Sequence, residues 1–148
     1  MASTLTPTSF NITITEEQIV RNNTIKHEVR QTINDVTNVD HRILTCPQTT
    51  SIDLFNINGI NPGAGTFPSS SLKYARITNL DNTYNTAIII SGSNGTFTQK
   101  LTPASSLLIF NSDITSSTFN GDFGDDISSV KAYAISSSID IEYTLVNA

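Results

Sequence analysis

From residue 8 onward, apolar and polar positions alternate with a period of two in one segment after another, the spacing of strands with one buried face. Phe10, Ile12 and Ile14 alternate with Asn11, Thr13 and Thr15. Ile25, His27, Val29, Gln31 and Ile33 oppose Lys26, Glu28, Arg30 and Thr32, and that charged set predicts a solvent face. Ile139, Ile141, Tyr143 and Leu145 oppose Asp140, Glu142 and Thr144, the cleanest alternation in the chain. Between the first two segments, residues 16–21 fit either one helical turn, capped by Thr15 with Gln18 three positions on, or a continuing strand; the strand is the favoured reading. Asn22-Asn23 and Asn34-Asp35 punctuate. Residues 36–44 are mixed, with Val36, Val39, Ile43 and Leu44 apolar, Pro47 closes them, and residues 52–57 predict a short strand.

Residues 72–110 hold three apolar β-type runs with turn residues at short intervals, which predicts a β-meander. Lys73, Ala75 and Ile77 alternate with Leu72, Tyr74 and Arg76, Asp81-Asn82 offers turn chemistry, and Ala87-Ile88-Ile89-Ile90 suits a largely buried strand. Ser91-Gly92-Ser93-Asn94-Gly95 supplies a tight turn into residues 96–101, and Pro103 separates these from Leu107-Leu108-Ile109-Phe110. Residues 127–136 and 138–146 read as a final hairpin. Two stretches, 58–71 and 111–126, lack any polarity period and read as long surface loops. With eight to ten strands, no helix and no internal repeat, the expectation is one all-β domain over residues 1–148, with a short N-terminal arm at about 1–9. An antiparallel β-sandwich of jelly-roll type fits best, because that topology would set residues 10–14 beside residues 139–145; an immunoglobulin-like sandwich is the second choice.

Composition alters this picture in one respect. Charged residues are 14% of the 148, against roughly 25% in ordinary domains, and Ser, Thr and Asn take their place. The surface is therefore neutral and rich in hydrogen-bonding groups. A net charge of −5, with eight cations scattered singly, argues against a phosphate-tracking groove and so against nucleic acid as a partner. Cys46 is the one cysteine, which excludes an intramolecular disulfide and reads as a small buried hydrophobe. The opening MASTLTPTSFNIT has no basic segment followed by an apolar core, and no run approaches the roughly 20 apolar residues of a membrane span. Synthesis in a cytoplasm without secretion, and no membrane partner, are the expectations. The Asn-x-Ser/Thr sequons at Asn11, Asn22 and Asn94 then read as by-products of composition.

Candidate chemistry is sparse. His27 and His41 fall in different elements, and no HExxH, CxxC, GxSxG or phosphate-loop motif is present. His27, at an apolar-facing strand position, reads as a core or interface histidine rather than a ligand. Asp40-His41 has the residue types of an acid–base pair but no accompanying nucleophile, so the expectation is no catalytic residue, no cofactor and no enzyme. Asn120, Asp122, Asp125 and Asp126, interleaved with Gly121 and Gly124, form a weak Ca²⁺ candidate, for which the rival is an ordinary tight turn. For a sugar, the candidate groups are Asn82, Tyr84 and Asn85, or Phe119 and Phe123 with Asp122 and Asp125, although the chain has no Trp and only four Tyr.

The order KYARITNLDNTYNTAIIISG, KLTPASSLLIFN and VKAYAISSSIDIEYTLVNA, over residues 72–148, resembles small β-sandwich structural proteins from the virions of tailed bacteriophages. The likeness is one of style and strand order and transfers no functional residue. It implies a non-enzymatic virion part: a capsid cement or decoration protein, commonly a homotrimer in that class, bound to major capsid protein, or else a tail, baseplate or fibre component. Such a part assembles inside the host cell and needs no secretion signal. The expected contact regions are residues 2–9 and the loop 58–71.

Overall fold

A computed structural model describes residues 8–57, 66–67, 72–92, 95–110 and 127–148, and the period-two segments among them become eleven strands with no helix. These are β1 (Thr8–Val20), β2 (Asn23–Val36), β3 (Asn38–Cys46), β4 (Ser51–Ile57), β5 (Thr66–Phe67), β6 (Leu72–Asn79), β7 (Thr86–Gly92), β8 (Thr96–Leu101), β9 (Ser106–Phe110), β10 (Ile127–Ala134) and β11 (Ile139–Asn147). They form a four-stranded sheet in the order β3-β11-β6-β9, a five-stranded sheet in the order β5-β4-β10-β7-β8, and a separate two-stranded ribbon, β1-β2. Every pairing is antiparallel except that of the two-residue β5 with β4.

The two larger sheets face each other as a sandwich. Ile139, Ile141, Tyr143 and Leu145 of β11, with Ala75 and Ile77 of β6, meet Phe55 of β4, Ile88 and Ile90 of β7, and Val130, Ala132 and Ala134 of β10 in one buried cluster. The rings of Phe55 and Tyr143 lie 5.8 Å apart across the gap between the sheets. Cys46 is fully buried in this core, and burial pushes its thiol pKa up, so it behaves as the small hydrophobe its sequence context suggests.

Strand neighbours differ from the sequence expectation in three places. The segment at residues 72–110 is not a meander, because β6 and β9 belong to the four-stranded sheet while β7 and β8 pair in the five-stranded one. The β10 and β11 strands are not a hairpin either: the connection through residues 135–138 carries the chain from one sheet to the other. Nor does β1 lie beside β11, whose neighbours are β3 and β6. All three have one cause. Alternation says which face of a strand is apolar, but backbone N–H and C=O groups pair with any strand that tertiary packing brings alongside.

The corner between β6 and β7 shows how a crossover is held. Asn79 is fully buried, and its Nδ2 donates to the carbonyls of Tyr84 at 2.9 Å, Thr102 at 3.2 Å and Leu101 at 3.5 Å. Its Oδ1 accepts the N–H of Asp81 at 3.0 Å. Asp81 Oδ1 in turn accepts the N–H groups of Thr83 and Tyr84, both at 2.6 Å. One amide thereby joins the connection from β6 to β7 to the connection from β8 to β9.

Tyr143 also carries a titration. Its hydroxyl donates to Asp40 Oδ2 at 3.2 Å, and Asp40 Oδ1 accepts Arg42 Nε at 3.0 Å. Burial first, then the negative charge of Asp40 and the hydrogen bond to it, push the phenol up to about 12, against the opposing pull of Arg42. A raised phenol favours its neutral form in the folded state, so this contribution to stability is complete below about pH 10 and disappears as pH rises through about 12. Denaturant unfolding followed from pH 8 to 12 is expected to show stability falling over that window, with Tyr143→Phe flattening part of the fall. A variant as steep as the parent would exclude Tyr143 as a source of the slope.

Candidate interaction surface

The ribbon of β1 and β2 is the part of the molecule least accounted for by the sandwich. Arg21 and Asn22, with φ of 48° and 64°, turn the chain between directly paired Val20 and Asn23, the positive-φ pair of a two-residue hairpin turn. The strand reading holds for residues 16–20, since β1 runs unbroken to Val20, and Arg21 belongs to the turn. At the base, Asn34-Asp35 forms a bulge opposite Ser9, with Asp35 at φ 57°, which returns Val36 to the face of Ile33. There Phe10, Ile12, Ile14, Ile33 and Val36 pack on Tyr74, Val146 and Ala148, with the Phe10 and Tyr74 rings 5.3 Å apart. The base of the ribbon is thus anchored on the outer face of the four-stranded sheet.

Beyond that base the cover ends. Every residue from 15 to 32 is exposed, which leaves about 20 Å of two-stranded ribbon standing free, at about 3.4 Å per residue for residues 15–20. The register sorts its side chains cleanly. Val20, Ile25 and Val29 continue the face that is buried at the base, with Glu16 opposite His27 among them. The reverse face carries Glu17 opposite Lys26, 3.3 Å apart, and Arg30 bonded to Glu28. Ile25 and Val29 are 56% and 46% exposed, so the apolar face continues past the point where the body covers it. Glu16, Glu17 and Glu28 balance Arg21, Lys26 and Arg30, so residues 15–32 carry no net charge in a chain of net −5.

On the outer face of the four-stranded sheet, Glu142 joins Arg76, and His41 Nε2 lies 3.5 Å from the same carboxylate oxygen. Exposed Val39, Ile43 and Leu108 flank this cluster. Asp40 and His41 do not act as a pair: consecutive strand positions send Asp40 toward Tyr143 and His41 toward Glu142. His27 is 69% exposed and 3.9 Å from Glu16, which corrects the core reading of this residue and leaves the interface one.

The sugar candidates divide. Asn82 lines an open cleft of about 560 Å³ with Thr45, Leu80, Asp81, Ser138 and Asp140. Tyr84 is exposed two residues on, whereas Asn85 is half-buried and lies outside the lining. Both carboxylates of the cleft are engaged, Asp81 by the N–H groups of its own turn and Asp140 by the Thr45 hydroxyl at 2.6 Å. Phe119 and Phe123, the Ca²⁺ candidates Asn120, Asp122, Asp125 and Asp126, the expected contact arm at residues 2–7 and most of the loop 58–71 lie outside the described residues. Among the described residues, no group of three or more His, Cys, Asp or Glu side chains is placed to hold a metal.

Sequence reasoning looked for contact surfaces in irregular segments and so passed over Val20, Ile25 and Val29. Their signal was present: an apolar alternation that runs on for longer than one sandwich is wide. Compared with protein-family models, curated proteins and solved structures, the chain has no match.

Proposed function

We propose that the protein is a non-enzymatic structural component of a virus particle that works by protein–protein contact, with a capsid cement or decoration role ahead of a tail, baseplate or fibre role. The observation that carries the contact part is the free ribbon of β1 and β2, whose exposed apolar face has no use in an isolated monomer. Support for the particle comes from the strand-order likeness to tailed-phage virion proteins and from the sparsely charged, Ser/Thr/Asn-rich surface. On this reading the partners are further copies of the chain and a major capsid or tail protein, and the site of action is the virion, assembled in the host cytoplasm. Copy number in purified particles is the test. Hundreds of copies support a shell protein, a few to a few tens move it to the tail, and absence from particles overturns the reading.

A second reading, a glycan-binding receptor-recognition module, is favoured by the cleft at Asn82 with exposed Tyr84 beside it. A glycan array separates the two. Binding to a defined sugar that Tyr84→Ala abolishes would establish the module, and a blank array would remove it.

A further inference from the structure

We propose that the free half of the β1-β2 ribbon packs, apolar face to apolar face, against the same ribbon of a second copy of this chain. This deepens the structural reading above and rests on it for its setting. Three features of the ribbon select a second copy over an unrelated partner.

The ribbon first of all needs a cover. Two antiparallel strands alone are marginal in water, and a stable sheet needs a third strand or something packed on its apolar face. Here residues 15–32 have neither, while the same face is covered at its base by Tyr74 and Val146. What the body does for Ile12, another body of matching shape must do for Val29 and Ile25.

Charge then narrows the choice. Two copies of a chain with net charge −5 repel, yet the free ribbon is balanced, so it is the region through which like copies approach without that penalty. On the apolar face the ionisable groups are Glu16 and His27, directly opposite each other in the register. Turned against its own copy by a twofold axis parallel to the strands, such a face sets Glu16 of one chain toward His27 of the other and leaves no carboxylate facing only carboxylates. A strongly acidic or basic partner would leave one member of this pair opposed.

The two faces, finally, are unequal in the way a contact requires. The reverse face satisfies its charges internally, through Lys26 with Glu17 and Arg30 with Glu28, and Ile19 near the tip is its one large apolar side chain, against three on the other face. An interface built on Val20, Ile25 and Val29 therefore has a defined side, and substitutions on the two sides of one ribbon must act differently.

Sedimentation equilibrium of the full chain, from about 1 to 100 µM, tests this. The parent is expected to be oligomeric across the upper part of that range. Ile25→Glu with Val29→Glu is expected to raise the dissociation constant at least 100-fold, with an unchanged thermal midpoint for the sandwich at concentrations where both are monomeric. Thr24→Glu, on the reverse face, should leave assembly within about threefold of the parent. A second measurement does not depend on weakening the ribbon: under mild oxidation, Val20→Cys should give disulfide-linked dimers and Ile19→Cys, on the reverse face, should not, while Cys46 stays buried in both. A parent that is monomeric at 100 µM, or one whose assembly is indifferent to the Ile25 and Val29 changes, overturns the proposal. Such a monomer found in purified particles would leave the structural reading standing and this inference fallen.

Discussion

Phe55→Ala is expected to lower the unfolding free energy by about 3–5 kcal/mol, the range for removing a buried aromatic side chain. Phe55 is 2% exposed, and its ring is the contact from the five-stranded sheet to Tyr143, itself 1% exposed, in the four-stranded sheet. The cavity would open between two rigid layers whose backbones are held by ladders on either side, so neither layer can collapse inward to fill it. Against a total stability of about 5–15 kcal/mol for an ordinary domain, that loss removes roughly a fifth or more. Urea unfolding followed by near-ultraviolet circular dichroism measures it, because the tyrosine signal depends on the packing of Tyr143. A loss below about 1 kcal/mol would mean that the two sheets do not meet at this pair.

Asn79→Leu is the second large effect, and it comes from polarity rather than volume. Leucine is close to asparagine in size and is apolar, so a core that needed only filling would accept it at little cost. Here the exchange leaves the carbonyls of Tyr84 and Thr102 and the N–H of Asp81 without the partner that Asn79 gives them. Each buried group left unpaired costs about 1–3 kcal/mol, and water reaching the partly buried Tyr84 and Thr102 carbonyls offsets some of it, so a loss of about 3 kcal/mol is expected. Hydrogen exchange locates the damage: the amide of Asp81, which donates to the Asn79 side chain, and that of Ala104, which donates to the Asp81 carbonyl across the two connections, should lose protection before the strands do. A variant as stable as the parent would show that the corner is held by its backbone bonds alone.

Both effects fall on positions whose residue type was plain in the sequence and whose role was not. Tyr143 stood in the cleanest alternation of the chain and was legible as buried, but Phe55 sat in a short apolar run that named no partner. Asn79 ended a predicted strand, and nothing in its context distinguished a fully buried corner amide from an exposed turn residue. Burial of one polar side chain among carbonyls from two separate connections arises only when those connections meet in space. The candidate contact surface was half legible in the same sense. The alternation through Ile25, Val29 and Ile33 gave the apolar face, whereas the point at which the body stops covering it depends on the anchoring of Phe10 and Ile12 by Tyr74 and Val146.

By itself, then, the sequence determined that this is an all-β chain and which face of each alternating strand is apolar, because the two-residue repeat of an extended backbone is a local property that every strand obeys alone. Ile139, Ile141, Tyr143 and Leu145 were core, and Lys26, Glu28 and Arg30 solvent, before any neighbour was known. The tertiary structure alone decided who pairs with whom: β11 between β3 and β6, β7 with β8 and β10, and β1 with β2 outside the sandwich. Backbone hydrogen bonds are the same at every residue and carry no address, so strand order is chosen by which arrangement closes a common core around Phe55 and Tyr143, and no alternation in a single segment contains that information.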